Sequence, residues 1–210
     1  MTSSLIVVIP PAEEPILIAD AKNFLRVDNS SDDALISTFI TAARKRIETV
    51  TYTRLVTQTL QLTMDWFPGG THGSYGGHWW GRGGWPVIEL EPPAQSITSV
   101  TYLDPSGNLQ TLSPSVYRLD GNSRPSRLTP ALNQIWPATA QELAAVQVTY
   151  VCGFGTAADV PGDIMQAFRL LLGHYYDNRS TVIIGSRLVA IEPPEGFAEL
   201  LSDYRPPMVA

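Results

Sequence analysis

The feature that most constrains the fold is an amphipathic segment at residues 161–179. Pro161 suits the first helical position, because its missing N–H would have no partner there in any case. Large apolar side chains then recur every three or four residues, which is one face of an α-helix: they are Ile164, Phe168, Leu171, Leu172 and Tyr175. Met165 and Tyr176 widen this face enough for two neighbouring elements to pack on it. We therefore expect a helical bundle around this segment.

Three other segments can supply the partner helices. Residues 16–27 form a short amphipathic pattern, and residues 35–50 carry one unbroken apolar stripe with Ser31 or Asp32 as the expected N-cap. The basic run 44–46 lies near the end of that helix, where we expect a solvated face rather than a phosphate site. Near the C-terminus, Phe197, Leu200, Leu201 and Tyr204 share one face of a further short helix.

The middle of the chain has a different periodicity. Residues 56–67 alternate between apolar and polar side chains, which is typical of a half-buried strand. Further candidate strands lie at residues 87–90, 97–103, 108–112, 116–119 and 145–151. Residues 104–107 (Asp-Pro-Ser-Gly) predict a type I turn. Residues 5–9 are apolar and end at Pro10-Pro11, which favours a strand or an extended arm over a signal peptide.

These patterns predict an α+β fold, a small helical bundle of N- and C-terminal helices with an inserted antiparallel β-domain. The predicted boundaries place the N-terminal arm and two bundle helices in residues 1–54. The β-rich domain occupies residues 55–151. Residues 152–210 supply the C-terminal bundle helix, an apolar extended or hairpin arm at 181–190, and a terminal helix and tail.

Composition and motifs narrow the classes of function. The chain has 14 Lys and Arg against 20 Asp and Glu residues, a net charge of −6, which is unlike a duplex-binding surface. Its single cysteine, Cys152, excludes an intrachain disulfide and a cysteine-based zinc site, and its apolar neighbours predict burial. No apolar stretch is long enough to span a membrane, and no catalytic or phosphate-binding motif occurs. We expect no enzymatic activity, cofactor or metal.

A glycine-rich loop at residues 69–84 interrupts the β-rich region. Tyr75, Trp79 and Trp80 lie within it, and Trp85 follows. Aromatic side chains among glycines are typical of a contact surface for a partner, although they could instead fold back onto the sheet. The loop keeps open an alternative function, a β-module that binds carbohydrate or peptide through residues 75–85.

The order of these elements resembles the head–tail connector (adaptor) proteins of long-tailed phages and phage-like gene transfer agents. The resemblance spans residues 13–205, and the glycine-rich loop at residues 69–84 departs from it. The stretches that carry it are residues 14–28, 32–44, 57–59, 97–104, 117–120, 136–137, 148–155, 160–161 and 170–179.

The resemblance implies a ring of about a dozen copies beneath the portal protein, in the neck of a virion or gene transfer agent particle assembled in the bacterial cytoplasm. A downstream head-completion (stopper) or tail protein would bind the other side, and double-stranded DNA would pass through without specific binding, because an acidic lining repels phosphate. Contacts with the portal or with neighbouring subunits are expected from the apolar arm and the terminal segment: Val182, Ile183, Ile184, Phe197, Leu200, Leu201, Tyr204, Arg205 and Met208.

Overall fold

The chain forms two units, and its computed structural model describes residues 3–69, 86–178, 183–184, 187–188 and 194–205. The β unit contains residues 1–12 and 57–153, and the helical unit contains residues 13–56 and 154–210. The chain therefore passes between the units three times. The described residues combine helices with antiparallel sheets, so the predicted α+β fold class is confirmed.

The helical unit contains α1 (Ile18–Leu25), α2 (Asp33–Thr51), α3 (Gly162–Asp177) and the short α4 (Phe197–Leu200). Apolar side chains from all four helices form one core. The predicted face of α3 lies in this core, because Ile164, Phe168, Leu171 and Leu172 are buried. Tyr175 and Phe39 of α2 contact each other with ring centroids 6.0 Å apart. The 3.6-residue apolar period therefore identified the buried face of α3 correctly. In α1 it did so only in part, because Ala21 is buried whereas Ile18 and Phe24 are exposed.

Polar contacts fix the start of α2 against its neighbours. Asp32 occupies the N-cap position as expected, but its side chain makes no cap hydrogen bond. Instead, Asp32 accepts a 2.7 Å hydrogen bond from the hydroxyl of Tyr176 on α3. Asp33 pairs with Lys22 of α1 at 2.7 Å.

The β unit contains two antiparallel sheets among the described residues. The larger sheet has the strand order β1-β2-β8-β4-β5, and the smaller has the order β3-β7-β6. In chain order the strands are β1 (Ser3–Ile9), β2 (Gln58–Met64), β3 (Ile88–Leu90), β4 (Ala94–Leu103), β5 (Leu109–Thr111), β6 (Tyr117–Asp120), β7 (Ser126–Pro130) and β8 (Val146–Cys152). The predicted turn joins β4 to β5, and the amide of Gly107 donates to the carbonyl of Asp104 at 2.8 Å.

The core of the β unit lies on one face of its central strand. Val146, Val148, Tyr150 and Cys152 are buried in β8, while the alternate residues are half-buried. Buried Cys152 confirms the expectation of a small apolar side chain in a core. At the end of the sheet Phe67 stacks on Trp136 with centroids 4.8 Å apart.

Two features of the β unit differ from the sequence-based boundaries. The N-terminal arm pairs along β2, with Leu5 opposite Leu62 and Val7 opposite Leu60. It therefore belongs to the β unit rather than to the segment that contains the bundle helices. Strand β7 had no periodic signal, and it forms because it pairs with β3 on one side and β6 on the other.

Candidate interaction surfaces

A buried charge network lies where the sequence predicted a solvated basic face. Lys45 and Arg46 are exposed, but Arg44 is buried. Its Nε and Nη2 donate to the carboxylate of Glu14 at 2.7 and 3.2 Å, and its Nη1 donates to Glu48 at 3.2 Å. The expectation was wrong for Arg44, because Glu14 comes from a segment 30 residues away that local patterning cannot anticipate.

The network extends to the segments through which the chain enters and leaves the helical unit. Glu48 accepts hydrogen bonds from the amide of Leu55 at 3.1 Å and from Arg54 at 3.3 Å. Burial alone would lower the pKa of Arg44, but hydrogen bonds and charge interactions with Glu14 and Glu48 hold that pKa above its usual value. The network therefore fixes these segments on the helical unit.

A second set of hydrogen bonds holds the segment where the chain re-enters the helical unit, beginning at Phe154. Glu13 accepts a 2.7 Å hydrogen bond from the amide of Ala157, and the amide of Phe154 donates to the carbonyl of Leu55 at 3.1 Å. Thr156 and Asp159 form a capping box between these contacts. The capping hydrogen bonds from the hydroxyl and amide of Thr156 lower the pKa of Asp159.

The predicted C-terminal docking segment packs on the bundle through part of its apolar face. Phe197 and Leu201 are buried in the helical core. Leu200 and Tyr204 are half-buried, and the ring of Tyr204 meets Phe154 edge-on with centroids 6.5 Å apart. Arg205 is exposed. A partner could therefore reach Leu200, Tyr204 and Arg205, whereas Phe197 and Leu201 hold the segment in place.

The remaining predicted contact residues are only partly described. Ile183 lies in β9 (Ile183–Ile184), which pairs with β10 (Arg187–Leu188) as a hairpin backbone. Val182, Met208, and the loop aromatics Tyr75, Trp79 and Trp80 lie outside the described residues. The roles assigned to all of these residues stay predictions.

Metal-binding clusters and membrane-spanning helices are absent from the part of the chain that the structure describes. Over those residues, no group of three or more His, Cys, Asp or Glu side chains is placed to hold a metal ion. None of the described helices has the length and apolar character needed to cross a bilayer.

Exposed apolar side chains in the described part of the β unit escaped the sequence analysis as binding candidates. In β1, Ile6, Val7, Val8 and Ile9 are exposed. Elsewhere Leu109, Leu132, Ile135 and Leu143 are each at least 70% exposed. The signal for β1 was present as an apolar run without a charged residue, but a buried strand would have the same pattern.

Comparisons with known proteins give a match to one family model and matches to solved structures. Residues 15–68 match the family model of phage gp6-like head-tail connector proteins. The comparison with curated proteins gives no match. The predicted resemblance to head–tail connectors is thus confirmed over this segment.

The chain is also similar to chains in solved structures of gene transfer agent (GTA) particles. One is the neck of an empty GTA particle computed with C6 symmetry, with a TM-score of 0.74, 21% identity, and coverage of 100% of this chain and 98% of that chain. Another is the virion of a native GTA particle, with a TM-score of 0.75, 21% identity, and coverage of 98% and 97%. A third is the neck of a native GTA particle computed with C12 symmetry, with a TM-score of 0.70 and 21% identity. That match covers 100% of this chain and 98% of the other. These likenesses establish a shared fold over the whole chain.

Proposed function

We propose that this chain, with a connector-family segment at residues 15–68 and the fold of GTA neck proteins, is a structural head–tail connector that catalyses no reaction. It forms a ring in the particle neck, extends the DNA channel and links the capsid to the tail. The observation that carries the proposal is the fold match over the full length of the chain to a protein of the GTA neck.

The ring has about a dozen copies, in keeping with the C12 symmetry of one neck structure that shares the fold. Its site of action is the neck of a virion or GTA particle, after assembly in the bacterial cytoplasm. The net charge of −6 fits a channel through which DNA slides, because acidic side chains repel phosphate instead of binding it. The portal protein binds one side of the ring, and a stopper or tail protein binds the other.

The terminal segment after α3 docks on the portal. Phe197 and Leu201 fix it to the core, so Leu200, Tyr204, Arg205 and the residues beyond form the contact. A complete deletion of residues 194–210 would remove two core side chains and would confuse docking with folding. The informative variant deletes residues 206–210 and carries Arg205→Glu.

The experiment compares particle production in cells that make this variant or the wild-type protein. We expect the variant to purify as a folded protein, to be absent from portal-containing heads, and to leave heads without tails in electron micrographs. Lys45→Glu is the matched control, since it reverses another exposed basic charge in the helical unit, and it should give normal particles. Tailed particles at wild-type yield from the variant would refute the docking assignment, and normal particles from cells lacking the protein would refute the connector function.

A further inference from the structure

The three segments through which the chain passes between its units leave the β unit side by side. They follow Ile9 of β1, precede Gln58 of β2 and follow Cys152 of β8. Ile9 lies opposite Thr59, and Gln58 lies opposite Cys152. Because β1, β2 and β8 are neighbours in that order, these three crossings start from one end of the sheet and form a row.

Each unit has an apolar core of its own. The buried core residues of the helical unit lie within residues 16–56 and 160–201. Those of the β unit lie within residues 60–152 and, among the described residues, include none from the helical unit. Units whose cores are separate can move as rigid bodies, because a change of backbone torsion in the crossings disrupts neither core.

The row of crossings determines the direction in which such a motion is easy. Neighbouring strands lie about 4.8 Å apart. A rotation of about 20° within the plane of the sheet would therefore stretch one outer crossing and compress the other by about 1.6 Å, which extended backbone cannot absorb. Bending out of the plane, about the row itself, leaves the three lengths unchanged and requires only changes in φ and ψ.

On the helical side the crossings are held firmly. The amide of Leu55 donates to the buried carboxylate of Glu48 at 3.1 Å, and the amide of Phe154 donates to the carbonyl of Leu55 at 3.1 Å. Glu13 accepts from the amide of Ala157 at 2.7 Å. These residues therefore move with the helical unit.

On the β side one exposed side chain holds two of the crossings. The Nε2 group of Gln95, on β4, donates to Oγ1 of Thr57 at 3.0 Å and to the carbonyl of Gly153 at 2.8 Å. Thr57 directly precedes β2, and Gly153 directly follows β8. Gly153 has a φ of 121°, a conformation that glycine adopts without steric cost.

The third crossing brings the two sets of hydrogen bonds onto one peptide group. The carbonyl of Gly153 is bound by Gln95, and the amide of Phe154 is bound by Leu55. These two groups share a planar peptide bond, so the peptide cannot rotate with the helical unit until the hydrogen bond from Gln95 opens. Water can replace this bond at an exposed side chain, so opening it costs little.

We propose that the two units bend relative to each other about the row of crossings. The pivots are the backbone torsions at residues 56–57 and 153–154, and Gln95 is a latch that restrains them. In a connector, this bending would let one unit stay bound in the particle neck while the other adjusts to its neighbours. That use rests on the connector function proposed above, whereas the hinge itself does not.

Distances between spin labels in the purified full-length protein test the hinge. Thr49→Cys in the helical unit and Ser106→Cys in the β unit form the pair that reports on bending. Ala34→Cys with Thr49→Cys, and Ser96→Cys with Ser106→Cys, are control pairs within one unit. All four positions are exposed, and the native Cys152 is buried and stays in place.

Double electron–electron resonance, with labelled protein diluted by unlabelled protein, measures the distribution of each distance within one chain. The distribution for the 49–106 pair should be at least about twice as broad as those of the control pairs, because only this pair spans the pivots. A 49–106 distribution as narrow as both controls would refute the hinge.

Removing the latch gives a second measurement on the same labelled pair. Gln95→Ala should broaden the 49–106 distribution further and leave both control distributions unchanged. Gln110→Ala is the matched control, since it removes another exposed glutamine that donates a hydrogen bond within the β unit, and it should change none of them. An unchanged distribution in Gln95→Ala would refute the latch. These measurements need no particles, so they can fail while the connector function stands.

Discussion

The buried carboxylate of Glu48 provides the most direct test of how the helical unit is held together. Its side chain is only 2% exposed. It accepts hydrogen bonds from Arg44, from Arg54 and from the amide of Leu55 at 3.1–3.3 Å. Replacement by alanine removes an acceptor on which two cations and one buried amide converge.

The expected loss can be worked out from these contacts. Breaking a buried ion pair by removing one partner typically costs about 3–5 kcal/mol, and leaving a buried amide without an acceptor costs about 1–3 kcal/mol. Arg44 keeps its two hydrogen bonds to Glu14, so the charge is not left without a partner. We therefore expect Glu48→Ala to lower the free energy of unfolding by about 3 kcal/mol, near the lower limit for a buried pair.

Glu48→Gln separates the contribution of the charge from that of the hydrogen bond to the amide of Leu55. Glutamine keeps a carbonyl oxygen for the amide of Leu55 and nearly the same volume, but it loses the charge that faces the two arginines. A hydrogen bond to a charged group contributes about 1.5–3 kcal/mol, so we expect a loss of about 2 kcal/mol. The order of stability should be wild type, then Gln, then Ala.

The assay is urea unfolding followed by circular dichroism at 222 nm, which reports on the helices even if the two units unfold in separate transitions. Glu199→Ala is the matched control, because this exposed acid lies in the same unit, and it should change stability by less than about 0.5 kcal/mol. Because buried charges are screened little, the loss for Glu48→Ala should persist at high salt. A loss below about 1 kcal/mol, or a Gln variant less stable than the Ala variant, would refute the reasoning.

Two further predictions concern a helix packing site and a cap. A Cβ atom at Gly173 would lie 3.6 Å from the ring of Phe24, an ordinary contact, so Gly173→Ala should stabilise the protein by up to about 1 kcal/mol; a lower melting temperature would contradict this. Hydrogen bonds from Thr156 lower the pKa of Asp159 in the folded protein. The carboxylate therefore contributes fully to stability above its unfolded pKa of about 3.9, and this contribution is lost as the pH falls through the folded pKa. The melting temperatures of wild type and Asp159→Asn should therefore converge as the pH falls below about 4, and a constant difference from pH 7 to pH 2 would exclude this linkage.

Helix α2 contains both side chains whose burial local sequence predicts and one, Arg44, whose burial it does not. The apolar stripe of α2 correctly placed Ile36, Ile40 and Ile47 in the core, because burial of a helix face depends mainly on its own periodicity. Arg44 lies in the same helix and was expected in solvent. Its burial depends on Glu14, which is 30 residues away in the chain, and no window of local sequence contains that pair.

The C-terminal segment shows the same limit for the candidate surfaces. Phe197, Leu200, Leu201 and Tyr204 share one helical face in the sequence, and the pattern is the same whether a core or a partner covers that face. In the structure Phe197 and Leu201 are buried within the chain, while Tyr204 is half-buried. Strand β1 is the converse case, since its apolar run could have been interior and is instead an exposed edge.

By itself the sequence determined the helices α1 to α3, most strands of the β unit and the α+β class, because periodicity and turn chemistry act over a few residues. The resemblance to head–tail connectors depends instead on the order of particular sequence stretches along the chain. Only the tertiary structure decided the strand order, the place of β1 in the β unit, the formation of β7, and the pairing of Asp32 with Tyr176 across 144 positions. The physical reason is that hydrogen-bond partners and solvent exposure depend on groups that are distant in sequence. The same apolar run can therefore form either an interior strand or an exposed edge strand.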